Sequence, residues 1–264
     1  MEHQVGRKES KFEVLVCYVK PMTKVRTSAS PQLRGLKNIS WLTSRQLKRL
    51  ADGMTASRFE KNSLIFDHKH SPEAAYVLLS GVARITCRNR KGERTLVIMV
   101  APGMIPNVPS TNSSVNYNFR CETVTACDVG RIPLEAFIEI ALGIASADFK
   151  HMADSYSGRW DLVQLRCANF MACTLEERVA LILLELSENF GVRDGPGVRL
   201  TVPTRHQDLA ELVGATRPRV TEYLSTFERR HLIRRDGRQL IVLRDRLEKF
   251  LAQSHISPIS PLAA

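Results

Sequence analysis

The chain has no apolar run long enough to cross a bilayer as a helix, which takes about 20 residues in succession. Its one early apolar patch, VLVCYV, is too short and too poorly flanked for a secretory signal. A cytoplasmic protein without membrane attachment is therefore expected. Cysteine is sparse too. Cys17, Cys87, Cys121, Cys127, Cys167 and Cys173 include no Cys-x-x-Cys pair and no zinc-like histidine spacing, so no metal is expected, and buried thiols in a reducing compartment are the default. No Cys/His/Asp grouping supports nucleophilic catalysis, which leaves an enzyme without a candidate centre. Acidic residues are outnumbered, 27 against 38 lysines and arginines, for a formal net charge of +11. Such an excess suits a polyanionic partner, although a solvated basic surface gives the same count. Its concentration says more: Arg205, Arg217, Arg219, Arg229, Arg230, Arg234, Arg235 and Arg238 crowd one segment, as phosphate neutralisation requires.

That segment, Pro203 to Leu243, reads as two helices, a tight turn and a short hairpin. Thr204 and Gln207 have the spacing of a capping box, which places a helix start at Arg205 and buries Leu209 and Leu212 along one stripe. Gly214 ends it in a left-handed conformation, and Thr216 is the N-cap of the next helix, with Pro218 in its first turn. On the second helix Val220, Tyr223, Leu224 and Phe227 share the inner face; Pro218, Thr221, Glu222, Ser225 and Arg229 are left outside. Two helices at this spacing form a helix-turn-helix, whose second helix enters the DNA major groove. Arg217 and Arg219 suit guanine or phosphate, and Glu222 a cytosine amino group. Leu232 to Arg234 and Gln239 to Leu243, around the Asp236-Gly237 turn signal, form a wing. Two packed core helices would show the same bare pattern; the hairpin, caps and arginines favour DNA. Candidate DNA contacts are Thr204, Arg205, Gln207, Thr216, Arg217, Pro218, Arg219, Thr221, Glu222 and Arg238.

The order of features and the phrase TRHQDLAELVGATRPRVTEYLSTFERRHLI resemble the winged helix-turn-helix of the Crp/Fnr superfamily of bacterial transcription regulators. The rest of the chain fits that resemblance. After a basic arm at residues 1–36, expected to be disordered, brief β-rich runs are broken by Ser-Pro, Ser-Gly, Lys-Gly and Pro-Gly, as in all-β barrels. Leu42, Leu47 and Leu50 suit a short helix before them. Tyr76 to Gly81 followed by Val82 to Cys87 resembles the β-roll that these regulators share with cyclic-nucleotide-binding domains. Thr123 to Pro133 matches its last strands, and Leu134 to Ile140 the short helix after them.

In such relatives a cyclic phosphate is held by a Gly-Glu helix and an Arg-Ser or Arg-Thr pair. Here Pro106, Asn107 and Val108 occupy the first segment and Tyr117 and Asn118 the second, so the phosphate cassette is missing. Arg120 is nearby but on the opposite strand face from Tyr117. Asn107, Tyr117, Asn118 and Arg120 are the candidate effector-pocket residues, and a cyclic nucleotide bound in the usual way is not expected. No cofactor is expected either. The alternatives kept open are haem, with His68 or His70 as ligand, and a thiol switch of Cys121 and Cys127, which share a face if their strand is continuous.

Phe149, Met152, Tyr156, Val163, Cys167 and Phe170 lie near heptad spacing, with Trp160 beside them, on a long helix that carries Gly158 in its middle. The seam packs on the chain's own roll or, as the resemblance implies, pairs with a second copy. A capping box of Thr174 and Glu177 opens the helix that Gly191 ends, with Val179, Ile182, Leu183 and Leu186 against the DNA unit. Residues from Gly191 to Pro203 form a connecting hairpin, and Arg244 to Ala252 a short amphipathic helix.

The expected fold is α+β: a double-stranded β-helix (jelly roll) at 37–145, a dimerisation helix at 146–173, a winged helix-turn-helix at 174–252 and a flexible tail at 253–264. The resemblance implies a homodimer on an inverted-repeat operator, moved by a hinge between Phe170 and Thr174, with RNA polymerase as a further partner. Pro218 stands where a glutamate is common in the family and Glu222 where an arginine is, so the half-site should differ from the familiar ones. Three classes stay in play: a regulator gated by an effector other than cAMP, a regulator controlled by abundance alone, and a thiol enzyme.

Overall fold

In the computed structural model, which describes residues 33–36, 39, 42–67, 74–88, 92–105, 119–143 and 164–254, two four-stranded antiparallel sheets face each other in the N-terminal half. One has the order β1 (Thr55–Phe59), β8 (Cys127–Pro133), β3 (Ala74–Ser80), β6 (Gly103–Met104); the other has β2 (Leu64–Asp67), β7 (Phe119–Thr123), β4 (Ala83–Arg88), β5 (Arg94–Val100). Phe66, Tyr76, Leu78, Ile85, Cys121, Cys127 and Val129 fill the space between them, with the rings of Phe66 and Tyr76 stacked at 5.1 Å.

β3 reads as a continuous apolar run because both its faces are covered. Ala74, Tyr76 and Leu78 point into the roll, while Ala75, Val77 and Leu79 meet a helical cap built from α1 (Ser44–Asp52) and α2 (Leu134–Leu142). Thr43 and Gln46 close a capping box on α1, Gln46 N–H donating to Thr43 Oγ1 at 3.3 Å and Thr43 N–H to Gln46 Oε1 at 2.8 Å. Leu33, Leu36 and Ile39 are buried in the same cap. Residues 33–36 therefore belong to the roll's core, which corrects the expected end of the basic arm; residues 1–32 lie outside the described region.

The C-terminal half is built on α3 (Leu175–Phe190), which opens on the expected capping box: Glu177 N–H donates to Thr174 Oγ1 at 3.3 Å and Thr174 N–H to Glu177 Oε2 at 2.7 Å. Gly191 ends α3 not in a left-handed cap but in extended geometry, φ −95° and ψ 147°, because the chain passes directly into a strand. α4 (His206–Val213), α5 (Arg217–Arg229) and α6 (Arg244–Gln253) pack around α3, with Phe227 and Phe250 edge to face at 5.7 Å. The two hairpins expected separately are one sheet. β9 (Gly191–Asp194), β10 (Gly197–Leu200), β12 (Gln239–Val242) and β11 (Ile233–Asp236) run in that order, with Val198 opposite Val242.

The halves share a seam. Val82, Leu96 and Met99 of the roll enter the C-terminal core, and the Glu211 carboxylate of α4 accepts the Leu96 N–H at 2.8 Å. Arg166, in the helical stretch 164–172, donates to Glu185 at 3.2 Å and to the Val97 carbonyl, so it ties that stretch to α3 and β5 at once.

Candidate nucleic-acid interface

Gly214 makes the turn between α4 and α5. It sits at φ 63°, ψ 46°, and Ala215 N–H returns to the Ala210 carbonyl at 2.8 Å, so the last carbonyls of α4 are satisfied as the chain reverses. Thr216 is the N-cap of α5 in extended geometry but makes no side-chain cap bond. Pro218 in the first turn leaves no intrahelical bond unmade.

Val220, Leu224 and Phe227 are fully buried and fix the rotation of α5 about its axis. Thr216, Arg217, Pro218, Arg219, Glu222, Ser225 and Arg229 consequently face solvent, and no described part of the chain covers them. Tyr223 departs from the expected inner face. It is half-buried at the margin, where it accepts a hydrogen bond from Arg219 Nη2 at 3.3 Å with the guanidinium 5.9 Å from its ring centre. Thr221 is also half-buried: its Oγ1 donates to the Arg217 carbonyl at 2.9 Å and lies 2.8 Å from His206 Nδ1.

The start of α4 corrects the expected capping box. Arg205, not Thr204, is the N-cap, so Gln207 falls one place short of the position that reaches back. Its amide donates instead to Glu211 at 3.0 Å, along the side of α4 that meets the roll, while Asp208 accepts the Arg205 N–H. Thr204 is freed for another role. With His206, Arg235, Arg238 and Gln239 it lines a cleft of about 200 Å³ between α4, α5 and the wing. His206 and Arg235 were not among the expected contacts. The signal that could have found His206 is the apolar stripe, since residue 206 stands three, four and seven residues before the buried Leu209, Ala210 and Val213 and so shares their side of α4.

The arginines divide into two sets. Arg230 pairs with Glu176 at 3.0 Å and lies 4.7 Å above the Phe250 ring, which makes it part of the scaffold. Arg234 pairs with Asp194 at 3.7 Å and Arg235 with Glu228 at 3.3 Å, both at the exposed wing. Arg205, Arg217, Arg219, Arg229 and Arg238 remain on the outer surface on and around α5.

Of the expected effector residues, Asn107, Tyr117 and Asn118 lie outside the described region, as do His68 and His70. Arg120 is corrected: it does not line the roll interior. Cys121 takes that direction, and Arg120 turns outward to Glu122 at 2.7 Å, where Arg84 at 3.3 Å and Arg94 at 3.2 Å converge on the same carboxylate. The single continuous strand considered for the thiol pair is corrected as well. Cys121 and Cys127 are on different strands, since the chain turns at Val124 to Ala126, and both lie in the roll's core. Burial first, and for Cys121 the neighbouring Cys127 and Glu122, pushes their pKa values up, which disfavours the thiolate form. Among the described residues no group of three or more His, Cys, Asp or Glu is placed to hold a metal ion, and no helix is long and apolar enough to cross a membrane. Of the expected dimer seam, Phe149, Met152, Tyr156, Trp160 and Val163, with Gly158, lie outside the described residues, whereas Cys167 and Phe170 are both exposed.

A jelly roll followed by a helix-turn-helix with its second helix bared and flanked by a basic wing defines a ligand-sensor-type domain coupled to a DNA-reading unit. Known proteins agree on both halves. Residues 56–142 match the cyclic nucleotide-binding domain and residues 177–250 the Crp-like helix-turn-helix domain. The chain is 24% identical over 191 residues to the CRP-like cAMP-activated global transcriptional regulator of Mycobacterium tuberculosis, covering 70% of this chain and 82% of that protein. It is 26% identical over 200 residues to the nitrogen fixation regulation protein FixK of Azorhizobium caulinodans, covering 73% and 76%. Among solved structures, FixK2 from Bradyrhizobium japonicum superposes with a TM-score of 0.62 at 21% identity, over 74% of this chain and 96% of that one. The chain belongs to the Crp/Fnr superfamily and is a DNA-binding transcription regulator of that type.

Proposed function

We propose that the protein works in the cytoplasm as a homodimer that binds an inverted-repeat operator, with one α5 from each copy in successive major grooves. One observation carries this reading: α5 presents Arg217, Pro218, Arg219 and Glu222 to solvent while Val220, Leu224 and Phe227 anchor its other side. The exposed Cys167 on the helical stretch supports a second copy as the partner on that side. RNA polymerase is the further partner that this type of regulator engages. The roll, with the helical cap that begins at Leu33, then acts as the sensor, and its ligand is something other than a cyclic nucleotide held in the usual way. Asn107, Tyr117 and Asn118 stand where the phosphate-binding residues belong, and Arg120, the nearest guanidinium, is bound to Glu122 on the outer face. Sequencing the genomic fragments that the purified protein retains tests the reading. The expected result is enrichment of a two-fold symmetric motif; retention of palindromic and random duplexes alike would overturn it.

A further inference from the structure

His206 stands at the meeting of α4, α5 and the wing. Its Nδ1 is 2.8 Å from Thr221 Oγ1, and that hydroxyl spends its single proton on the Arg217 carbonyl at 2.9 Å. The hydroxyl therefore faces the ring with a lone pair, and Nδ1 carries the N–H. In the neutral ring Nε2 is then a bare acceptor. A DNA backbone phosphate offers only acceptors, so it gains a hydrogen bond from this ring only when Nε2 is protonated too, and that bond is charge-assisted. The rest of the cleft suits a phosphate: Thr204 supplies a hydroxyl from the segment before α4, and Arg235 and Arg238 supply guanidinium groups from the wing.

We propose that this cleft seats one backbone phosphate of the DNA and that His206 takes up a proton from solvent as the phosphate enters. The inference rests on the DNA-binding reading above and adds its linkage to pH. The charged groups that act on the imidazole are Arg235 on the wing and Arg217 on α5, and Arg238 lines the same cleft; Arg205 and Asp208 are its neighbours in the chain, Asp208 turned to Arg84 at 3.9 Å, and Glu228 is engaged by Arg235 at 3.3 Å. In the free protein burial, then Arg235, then Arg217 hold the imidazole's pKa below the ordinary histidine value. A phosphate reverses the local charge and raises it. Between the free and the bound value binding is coupled to proton uptake, so affinity falls as pH rises through that window, by up to about tenfold per pH unit for each imidazole. Below the free value and above the bound one the dependence on this group vanishes. The ring also holds Thr221 and the Arg217 backbone, so the proton reports on the start of the reading helix as well as on the phosphate.

A random-sequence duplex is a sufficient probe, because the seat reads the backbone and not the bases. Calorimetry in two buffers of different ionisation enthalpy measures the protons taken up, and the affinity is followed across the neutral range. For the wild-type protein net uptake and an affinity that falls with rising pH are expected. His206→Gln keeps a donor for Thr221 but cannot titrate, and is expected to abolish the uptake and flatten the profile. Arg235→Gln, a second variant outside the helices, relieves the imidazole in the free protein and is expected to reduce the uptake. Equal uptake in the wild type and His206→Gln, or none in the wild type, overturns the proposal while leaving DNA binding intact. A wild-type protein that holds no duplex at any pH instead overturns the DNA-binding reading itself.

Discussion

The ring of Phe170 lies against Gly214, its Cε1 2.6 Å from the place a Cβ on that glycine would take. The end of the helical stretch thus rests on the turn of the helix-turn-helix, and the Arg178 guanidinium, 5.2 Å above the same ring, closes the contact from α3. Gly214→Ala meets two costs. The left-handed φ of 63° is worth about 1–2 kcal/mol against a Cβ, and the Phe170 ring must move. Phe170→Ala removes the second cost alone. In urea unfolding the double variant is therefore expected to be more stable than the sum of the single changes allows. Strict additivity would show that the half-exposed ring swings away freely.

Thr174 and Thr204 carry the same signal in sequence and play different parts. Thr174→Ala should lose about 1 kcal/mol, the usual cost of an N-cap, read as a lower midpoint in urea. Thr204→Ala removes no cap and should change stability by less than about 0.5 kcal/mol, as at an ordinary surface position, yet weaken retention of a duplex. A loss of stability at Thr204 equal to that at Thr174 would restore the capping-box reading.

The contrast shows what the chain's local pattern can and cannot specify. Thr-x-x-Gln and Thr-x-x-Glu both have capping-box spacing, but whether the threonine is the N-cap depends on competitors. Asp208 accepts the Arg205 N–H and Gln207 is drawn to Glu211, so α4 begins one residue later than its spelling suggests. Gly214, the Asp236-Gly237 turn and the apolar face of α5 were legible because each is decided within a few residues. Tyr223 was misread since apolar spacing does not show where a buried face ends; the half-buried ring instead takes the Arg219 guanidinium. Whether Cys121 and Cys127 share a strand is not decided by their six-residue interval; Thr125 accepts the Val82 N–H at 2.9 Å where the chain turns between them. The joining of two hairpins into one sheet, and the packing of α4 on β5, depend on contacts far apart in sequence and left no local trace.

Arg217 tests base reading. It is exposed at the first position of α5, and Arg217→Ala is expected to cost about 1–3 kcal/mol of operator affinity and to relax preference at one base pair. Selection of duplexes by the variant checks this; uniform weakening over all sequences would confine Arg217 to phosphate contact.

Cys167 tests the dimer. It is exposed on the helical stretch, while Cys121 and Cys127 are buried with raised pKa values. Mild copper-catalysed oxidation should link two copies through Cys167, and Cys167→Ser should abolish the linked species on a non-reducing gel. Linkage that survives this substitution, or none in the wild type under conditions where the protein sediments as a dimer, would place the seam elsewhere.

The seam between the halves ties α4 to the roll. Glu211 accepts the Leu96 N–H at 2.8 Å, and Asp208 approaches Arg84 at 3.9 Å, so the acidic side of α4 is seated on the arginine-lined sheet that also holds Glu122. α4 and α5 share one apolar core, so a shift of β5 that releases Glu211 displaces the reading helix as well. A hydrogen bond to a charged acceptor contributes about 1.5–3 kcal/mol, and Glu211→Ala should speed amide hydrogen exchange at Leu96 by about tenfold to a hundredfold. The Ile105 amide, bonded to the Tyr76 carbonyl at 2.9 Å in the roll's own core, is the internal control and should not change. Parallel acceleration at both amides would mean that the roll itself has loosened, and unchanged exchange at Leu96 would mean that Glu211 does not hold the halves together. Acceleration confined to Leu96 would show that Glu211 holds α4 to β5, the contact that a change in the roll would have to alter in order to reach α4.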